Sequence, residues 1–145
     1  MRRILVAADG SESSNRAIDI AAELAARLNS DLCICHVAGN FSWETLEDLT
    51  RSTSDATFIG DAIEANTEGI LKLACDRART RGAKHIYPKR SWGDAAQRIL
   101  EIICAEKIDT LVVGRRGRGR ISGLLLGSVS QKMASLAPCV VIIAP

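Results

Sequence analysis

Asp109-Thr110-Leu111-Val112-Val113-Gly114-Arg115-Arg116-Gly117 continues through Arg118-Gly119-Arg120-Ile121-Ser122-Gly123-Leu124-Leu125-Leu126 to Gly127-Ser128-Val129-Ser130. The stretch passes from a β-branched run to a glycine- and arginine-rich loop, and then into a helical pattern. Asp109 to Val113 reads as a short strand, Ser128 to about Leu136 as a helix, and Cys139 to Ala144 as a further strand. Strand, loop, helix and strand in that order point to βαβ units around a parallel sheet.

The same rhythm extends back toward the start of the chain. Asp94 with Gln97 forms a capping box for a helix carrying Ile99, Leu100 and Ile103. His85 to Lys89 reads as a third, weaker strand, and Pro88 assigns it to an edge. Before it, a helix is expected from about Asp61 to Arg81. It has Ile63, Ile70, Ala74 and Ala78 on one face and Gly82 as its C′ residue. Strand two, Asp31 to Val37, has the near-continuous apolar core Leu-Cys-Ile-Cys of a central parallel strand. Ser11, Ser13 and Ser14 offer N-caps for a helix that buries Ala17, Ala21, Leu24 and Leu28 and stops near Asn29. Strand one is Arg3 to Ala8. The pattern contains five strands with helices between them, an α/β domain covering 1–145 without repeat or linker. Only Gly39 to Gly60 breaks the rhythm, with Phe41, Trp43 and Phe58 among Ser, Thr and acidic residues. A loop this long suggests a lid, a partner surface or a local cap.

Composition narrows the class. The 145 residues suffice for one ordinary domain, and 47% apolar with 25% charged is the balance of a globular chain. A net charge of +2 gives no argument for nucleic acid by itself. No apolar run approaches the ~20 residues that span a bilayer. The five cysteines, 33, 35, 75, 104 and 139, stand in apolar stretches without a C-x-x-C. Reduced, buried thiols in a cytoplasmic protein are the expectation. Cys33 and Cys35 share a strand face, which leaves a metal or redox pair as the alternative.

Two loops carry chemistry. In open parallel sheets, ligands bind beyond the carboxyl ends of the strands, where the strand order reverses. Ala8-Asp9-Gly10-Ser11 is a sharp turn bearing a carboxylate. Gly114 to Ser130 favours anions. Its glycines let N–H groups converge, Gly127-Ser128 opens a helix N-terminus, and Arg115, Arg116, Arg118 and Arg120 raise the potential. Polyphosphate suits such a loop. A P-loop is excluded, because the chain has no Gly-Lys pair. Gly117-x-Gly119-x-x-x-Gly123 is a poor dinucleotide fingerprint, since it follows the fourth strand and lacks an acidic ribose partner.

The spacing Gly114-x2-Gly117-x9-Gly127-Ser128 resembles the signature of the ATP-binding branch of the universal stress protein family. The resemblance extends to Asp9-Gly10-Ser11, to Cys35-His36-Val37, and to the closing Ala137-Pro138-Cys139-Val140-Val141-Ile142. It implies an open five-stranded parallel sheet in the order 3-2-1-4-5 with helices on both faces, Rossmann-like and nucleotide α-hydrolase-like. It further implies that ATP, ADP or AMP binds with Mg²⁺ between strands one and four. Asp9 would lie near ribose and metal, and Ala8 and Val37 would frame the adenine. Gly114, Arg115, Gly117, Gly127, Ser128, Val129 and Ser130 would surround ribose and phosphates. Ala8 departs from the larger aliphatic residue common there, which loosens the adenine pocket. A homodimer through strand five and a stress-response or regulatory role, with a further protein partner open, complete what the resemblance implies.

Other readings stand beside these. Asp9 forms an Asx-turn or caps the first helix, roles compatible with ligand binding. His36, ending a buried strand, reads as a hydrogen-bonded core residue rather than a base. The arginines are a solvated loop or a nucleic-acid patch, although no stacking aromatic accompanies them and the near-neutral charge opposes nucleic acid. No general base is evident, so at most slow ATP hydrolysis is expected. The competing functions are an enzyme of the nucleotide α-hydrolase-like superfamily and a nucleotide-independent dimeric interaction module.

Overall fold

Apolar runs of four to six residues leave little choice but burial on both faces, and the sheet provides it. The computed structural model describes residues 3–39, 56–117 and 125–145. In chain order these form β1 (Arg3–Ala7), α1 (Glu12–Leu28), β2 (Asp31–Ala38), α2 (Ala56–Thr80), β3 (His85–Trp92), α3 (Ala95–Ala105), β4 (Thr110–Gly114), α4 (Ser128–Leu136) and β5 (Val140–Ala144). All pairings are parallel and the strand order is β3-β2-β1-β4-β5, as the family resemblance implied. The order reverses between β1 and β4.

Strand alternation divides the core into two layers. Ile4, Val6, Leu32, Ile34 and Val112 face α1 and α2, where they meet Ala17, Ile18, Ala21, Leu71, Ala74 and Ala78. Leu5, Cys33, Cys35, Leu111 and Val113 face the other way, against Ile99, Ile102, Ile103 and Met133 of α3 and α4. Small alanines on α1 let the helix lie close to the sheet.

Local chemistry sets the helix ends. Ser11 caps α1 by accepting the Ser14 N–H at 3.1 Å, and Asn29 closes that helix with φ +50°. Gly82, at φ +94°, ends α2 in a Schellman turn, with Gly82 N–H on the Arg79 carbonyl and Ala83 N–H on that of Ala78. Asp94 caps α3 through the Gln97 N–H at 2.9 Å. The capping box is only half formed, because the Gln97 side chain donates to Glu101.

Several expectations need correction. β3 runs to Trp92 rather than Lys89, because Arg90, Ser91 and Trp92 stay in register with His36, Val37 and Ala38. An edge strand can continue through polar residues when its buried neighbour continues. The Gly93 N–H bonds the Ala38 carbonyl, so by alternation Pro88 is among the positions facing outward, where its missing N–H costs no ladder bond. α2 begins at Ala56, within the segment that broke the rhythm; residues 40–55, with Phe41 and Trp43, lie outside the described residues. Leu28 is exposed in the last turn of α1, and Ala25 takes the buried position instead. All five thiols are free, but only Cys33, Cys35 and Cys75 are buried; Cys139 is half-buried and Cys104 exposed. Burial pushes the Cys33 thiol up to about 12 and that of Cys35 higher, which argues against a reactive or metal-binding pair.

α1 and α2 are joined by charge as well as packing. Arg77 grips Asp19 with two bonds of 2.7 Å, and Arg81 adds a third at 2.9 Å. Burial alone would raise the Asp19 carboxyl, but the hydrogen bonds and charges of Arg77 and Arg81 outweigh it and hold the group below its usual range. A depressed carboxylate stabilises the fold above its unfolded value of ~3.9, and that contribution is lost as pH falls through the folded value. Asp19→Asn should cost about 1 kcal/mol at neutral pH, a modest figure because both arginines are partly solvated. Denaturant titrations of both proteins should show this gap at pH 7 and its progressive narrowing as pH falls below the unfolded value of ~3.9.

Candidate functional site

The sheet order places the carboxyl ends of β1 and β4 side by side, with α1 leaving toward one face and α4 toward the other. This is the switch point at which an open α/β sheet forms its crevice. The loops above it are held by the first turn of α1.

On the β1 side, Asp9 Oδ1 accepts the Ser11 N–H at 2.8 Å, the Asx-turn anticipated from the sequence. Its own N–H goes to Ser14 Oγ at 3.1 Å. On the β4 side, the Arg115 N–H bonds the Ala144 carbonyl of β5 at 2.6 Å, and the Arg116 N–H lies 3.3 Å from Ser13 Oγ. The returning chain is tied to the outgoing one, with Gly127 N–H to the Arg115 carbonyl at 2.7 Å and Ser130 Oγ donating to that oxygen at 2.8 Å. Ser13 and Ser14 therefore position both loops, beyond the capping role read from the sequence. The only signal for it was the density of hydroxyls at that helix start.

The three signature glycines serve different ends. A Cβ on Gly117 would lie 2.8 Å from Asp9 Oδ2, so this glycine is where the two loops meet. Gly127 has an ordinary extended backbone, φ −71° and ψ 167°. Its requirement is close approach, since a Cβ would stand 3.3 Å from Arg116 Cα and 3.4 Å from the Arg115 carbonyl oxygen. Gly114 faces α1 rather than the crevice, and a Cβ there would fall 2.6 Å from Ser13 Oγ and 2.8–2.9 Å from the Ser13 and Ser14 backbone.

The remaining predicted residues separate in the same way. Gly127 is the N-cap of α4 and supplies no side-chain cap, so among the described residues the first amides of that helix meet no side-chain acceptor, and Ser128 is exposed beside them. Val129 packs into the α3–α4 layer, and the Ser130 hydroxyl is spent on the loop. Ala8 is buried in the α1–α2 layer, whereas Val37 packs toward the opposite layer. The two share neighbouring strand ends but not a face, so what both can offer above the sheet is main chain. Arg115 and Arg116 are exposed, and Arg118 and Arg120 lie outside the described residues. His36 is buried with Nδ1 2.7 Å from the Ala8 carbonyl oxygen, a hydrogen-bonded core residue as expected. A groove of 870 Å³ along α1 and α2 reaches the β1 loop only at Ala8 and Gly10.

The donors suit an anion. With the amides of Arg115, Arg116 and Gly127 spent on holding the loop, the N-terminus of α4 and the exposed Arg115 and Arg116 side chains are, among the described residues, what this loop offers an anion, across from the carboxylate of Asp9. Among the described residues no three His, Cys, Asp or Glu converge to hold a metal. Asp9 is therefore not part of such a cluster, and as a single ligand it would fit Mg²⁺ only in the manner that ion favours, shared with phosphate oxygens and water.

The whole chain, residues 1–145, matches the model of the universal stress protein family. It is similar to universal stress protein YxiE of Bacillus subtilis, 35% identical with 97% of each chain covered. It is also similar to a universal stress protein of Thermus aquaticus, 30% identical over 98% of this chain and 97% of that one. Among solved structures, a universal stress protein in complex with cAMP superposes with a TM-score of 0.74 at 31% identity, covering 99% of this chain and 95% of the other.

The Gly114 geometry generates a stability test that needs no ligand. Gly114→Ala drives a methyl into main chain that cannot swing aside, an overpacking cost of about 1–3 kcal/mol. Differential scanning calorimetry should show a melting point lower by a few to about ten degrees. Gly127→Ala, whose nearest neighbours stand at 3.3 Å or beyond, should melt within about two degrees of the parent.

Proposed function

The chain belongs to the universal stress protein family, and from that membership we propose that it is an adenine-nucleotide-binding stress-response or regulatory protein of the ATP-binding branch. The observation that carries this reading is the meeting of the Asp9 turn and the glycine stems of the β4–α4 loop at the switch point, with Gly117 against Asp9 and Gly127 against Arg116. The N-terminus of α4, without a side-chain cap at Gly127 and with exposed Arg115 on the same loop, favours phosphate. The related protein solved with cAMP supports an adenine ligand.

In this reading the phosphates of ATP, ADP or AMP lie on Gly117, Gly127, Ser128 and the amides of Val129 and Ser130, with Arg115 beside them. Gly114 and Ser130 hold the loop that does so. Val37 and Ala8 contribute main chain near the base. Asp9 lies by the ribose and is the residue that would hold Mg²⁺, whose chemistry there is to neutralise phosphate charge. Binding and sensing, rather than turnover, is the function, and residues 1–145 act as one domain.

Assembly follows from the other end of the sheet. β5 pairs with β4 alone among the described strands, and Val140 is exposed. An open apolar edge is an invitation to pairing, and we read it as the interface of a homodimer.

Nucleotide at 100 times its dissociation constant adds about 2.7 kcal/mol. Millimolar Mg-ATP should therefore raise the melting temperature by several degrees. Gly127→Val, which thrusts a branched side chain into the stems of the loop, should fold yet bind ATP at least about tenfold more weakly by calorimetric titration. Absence of any shift in nucleotide-free protein would overturn the reading. Light scattering should give twice the chain mass of 15.6 kDa at micromolar concentration; the monomer mass would refute the dimer.

A further inference from the structure

β1 and β2 are paired from Arg3↔Asp31 to Ala7↔Cys35, and one more bond follows, Ala8 N–H to the Cys35 carbonyl at 2.8 Å. In a regular parallel ladder the next bond runs from the Val37 N–H to the Ala8 carbonyl. Among the described residues that bond is not made. The Ala8 carbonyl is held instead by the His36 ring, whose Nδ1 stands 2.7 Å away in a side chain only 8% exposed. A carbonyl can only accept, so Nδ1 carries the hydrogen and donates it.

A side chain thus takes the place of a main-chain donor. Beyond Ala8 the chain turns away, with the Asp9 N–H on Ser14. Val37 is not spent on β3 either, because the Ala38 carbonyl, one residue on, is the one that meets Gly93. Alternation points the Val37 N–H and C=O the same way as the Cys35 carbonyl, into the space past the end of β1.

We propose that His36 is a positioning residue for base recognition. By satisfying the Ala8 carbonyl, it keeps the Val37 main-chain donor and acceptor available at the crevice as a pair complementary to adenine. This rests on the nucleotide reading above and adds a specificity to it. Adenine offers an acceptor at N1 and a donor at its 6-amino group. Guanine offers the reverse, a donor at N1 and an acceptor at O6, so it would leave both Val37 groups unpaired. A polar pair of this kind rejects the mismatched partner because its groups are left unsatisfied. Without the imidazole, the Ala8 carbonyl would recapture the Val37 N–H and close the ladder over the base site.

The test compares two variants with ATP, GTP and inorganic tripolyphosphate as probes in calorimetric titrations. His36→Leu keeps the bulk and loses the donor; its ATP affinity should fall about tenfold, with the preference for ATP over GTP falling by a similar factor. Tripolyphosphate affinity should stay at the parent value, which a merely structural role would not spare. His36→Asn, whose amide nitrogen can reach the same carbonyl, should keep the preference. A His36→Leu protein with parental preference, or one that loses ATP and tripolyphosphate alike, overturns the proposal. So does loss of preference in His36→Asn, which decides the matter if His36→Leu fails to fold. A parent protein that binds nucleotides without favouring adenine sinks this inference alone; one that binds none sinks the nucleotide reading with it.

Discussion

The site depends on how closely β4 approaches the first turn of α1. Gly114 has no side chain, so Ser13 and Ser14 can lie against the end of the strand, closer than any Cβ would permit. From there their hydroxyls reach both neighbouring loops, Ser14 to the Asp9 N–H and Ser13 to the Arg116 N–H. One close contact therefore brings the β1 turn and the β4–α4 loop to a common origin. If the helix stood further off, each loop would lose a partner and the crevice its shape.

What the crevice presents is mostly main chain. Ser130, Val129 and the Asp9 Oδ1 oxygen are committed to holding the loops or the core, and Gly117 and Gly127 contribute backbone by having nothing else. In the proposed reading, a loop held in this way needs little reorganisation when a phosphate binds. The sheet adds its own main-chain groups at β2, where the His36 imidazole relieves Val37 of its ladder bond. Two layers of small aliphatic side chains and a charged clamp at Asp19 hold the helices in place around the sheet that carries these loops.

The sequence by itself determined the order of elements, because strands buried on both faces must be continuous apolar runs and helices must show a stripe. It also pointed to the two loops that meet at the switch point, through the Asp9-Gly10-Ser11 turn and the glycine spacing before the start of α4. Asp94 as a cap, Gly82 as a helix stop and Pro88 on an edge were legible for the same reason, each being a local choice with a local cause. Only the tertiary structure decided the length of β3, whose polar end is held by its buried neighbour, and the exposure of Leu28, Cys104 and Cys139. It alone separated the signature glycines, Gly114 serving helix packing, Gly117 the meeting with Asp9, and Gly127 the closing of the loop. It alone showed that Ala8 and Val37, adjacent at the strand ends, turn their side chains to opposite layers. The reason is physical. A residue's conformational preference is written within a few neighbours of it in the chain, but the atom that would collide with its Cβ, or compete for its carbonyl, comes from a segment tens of residues away.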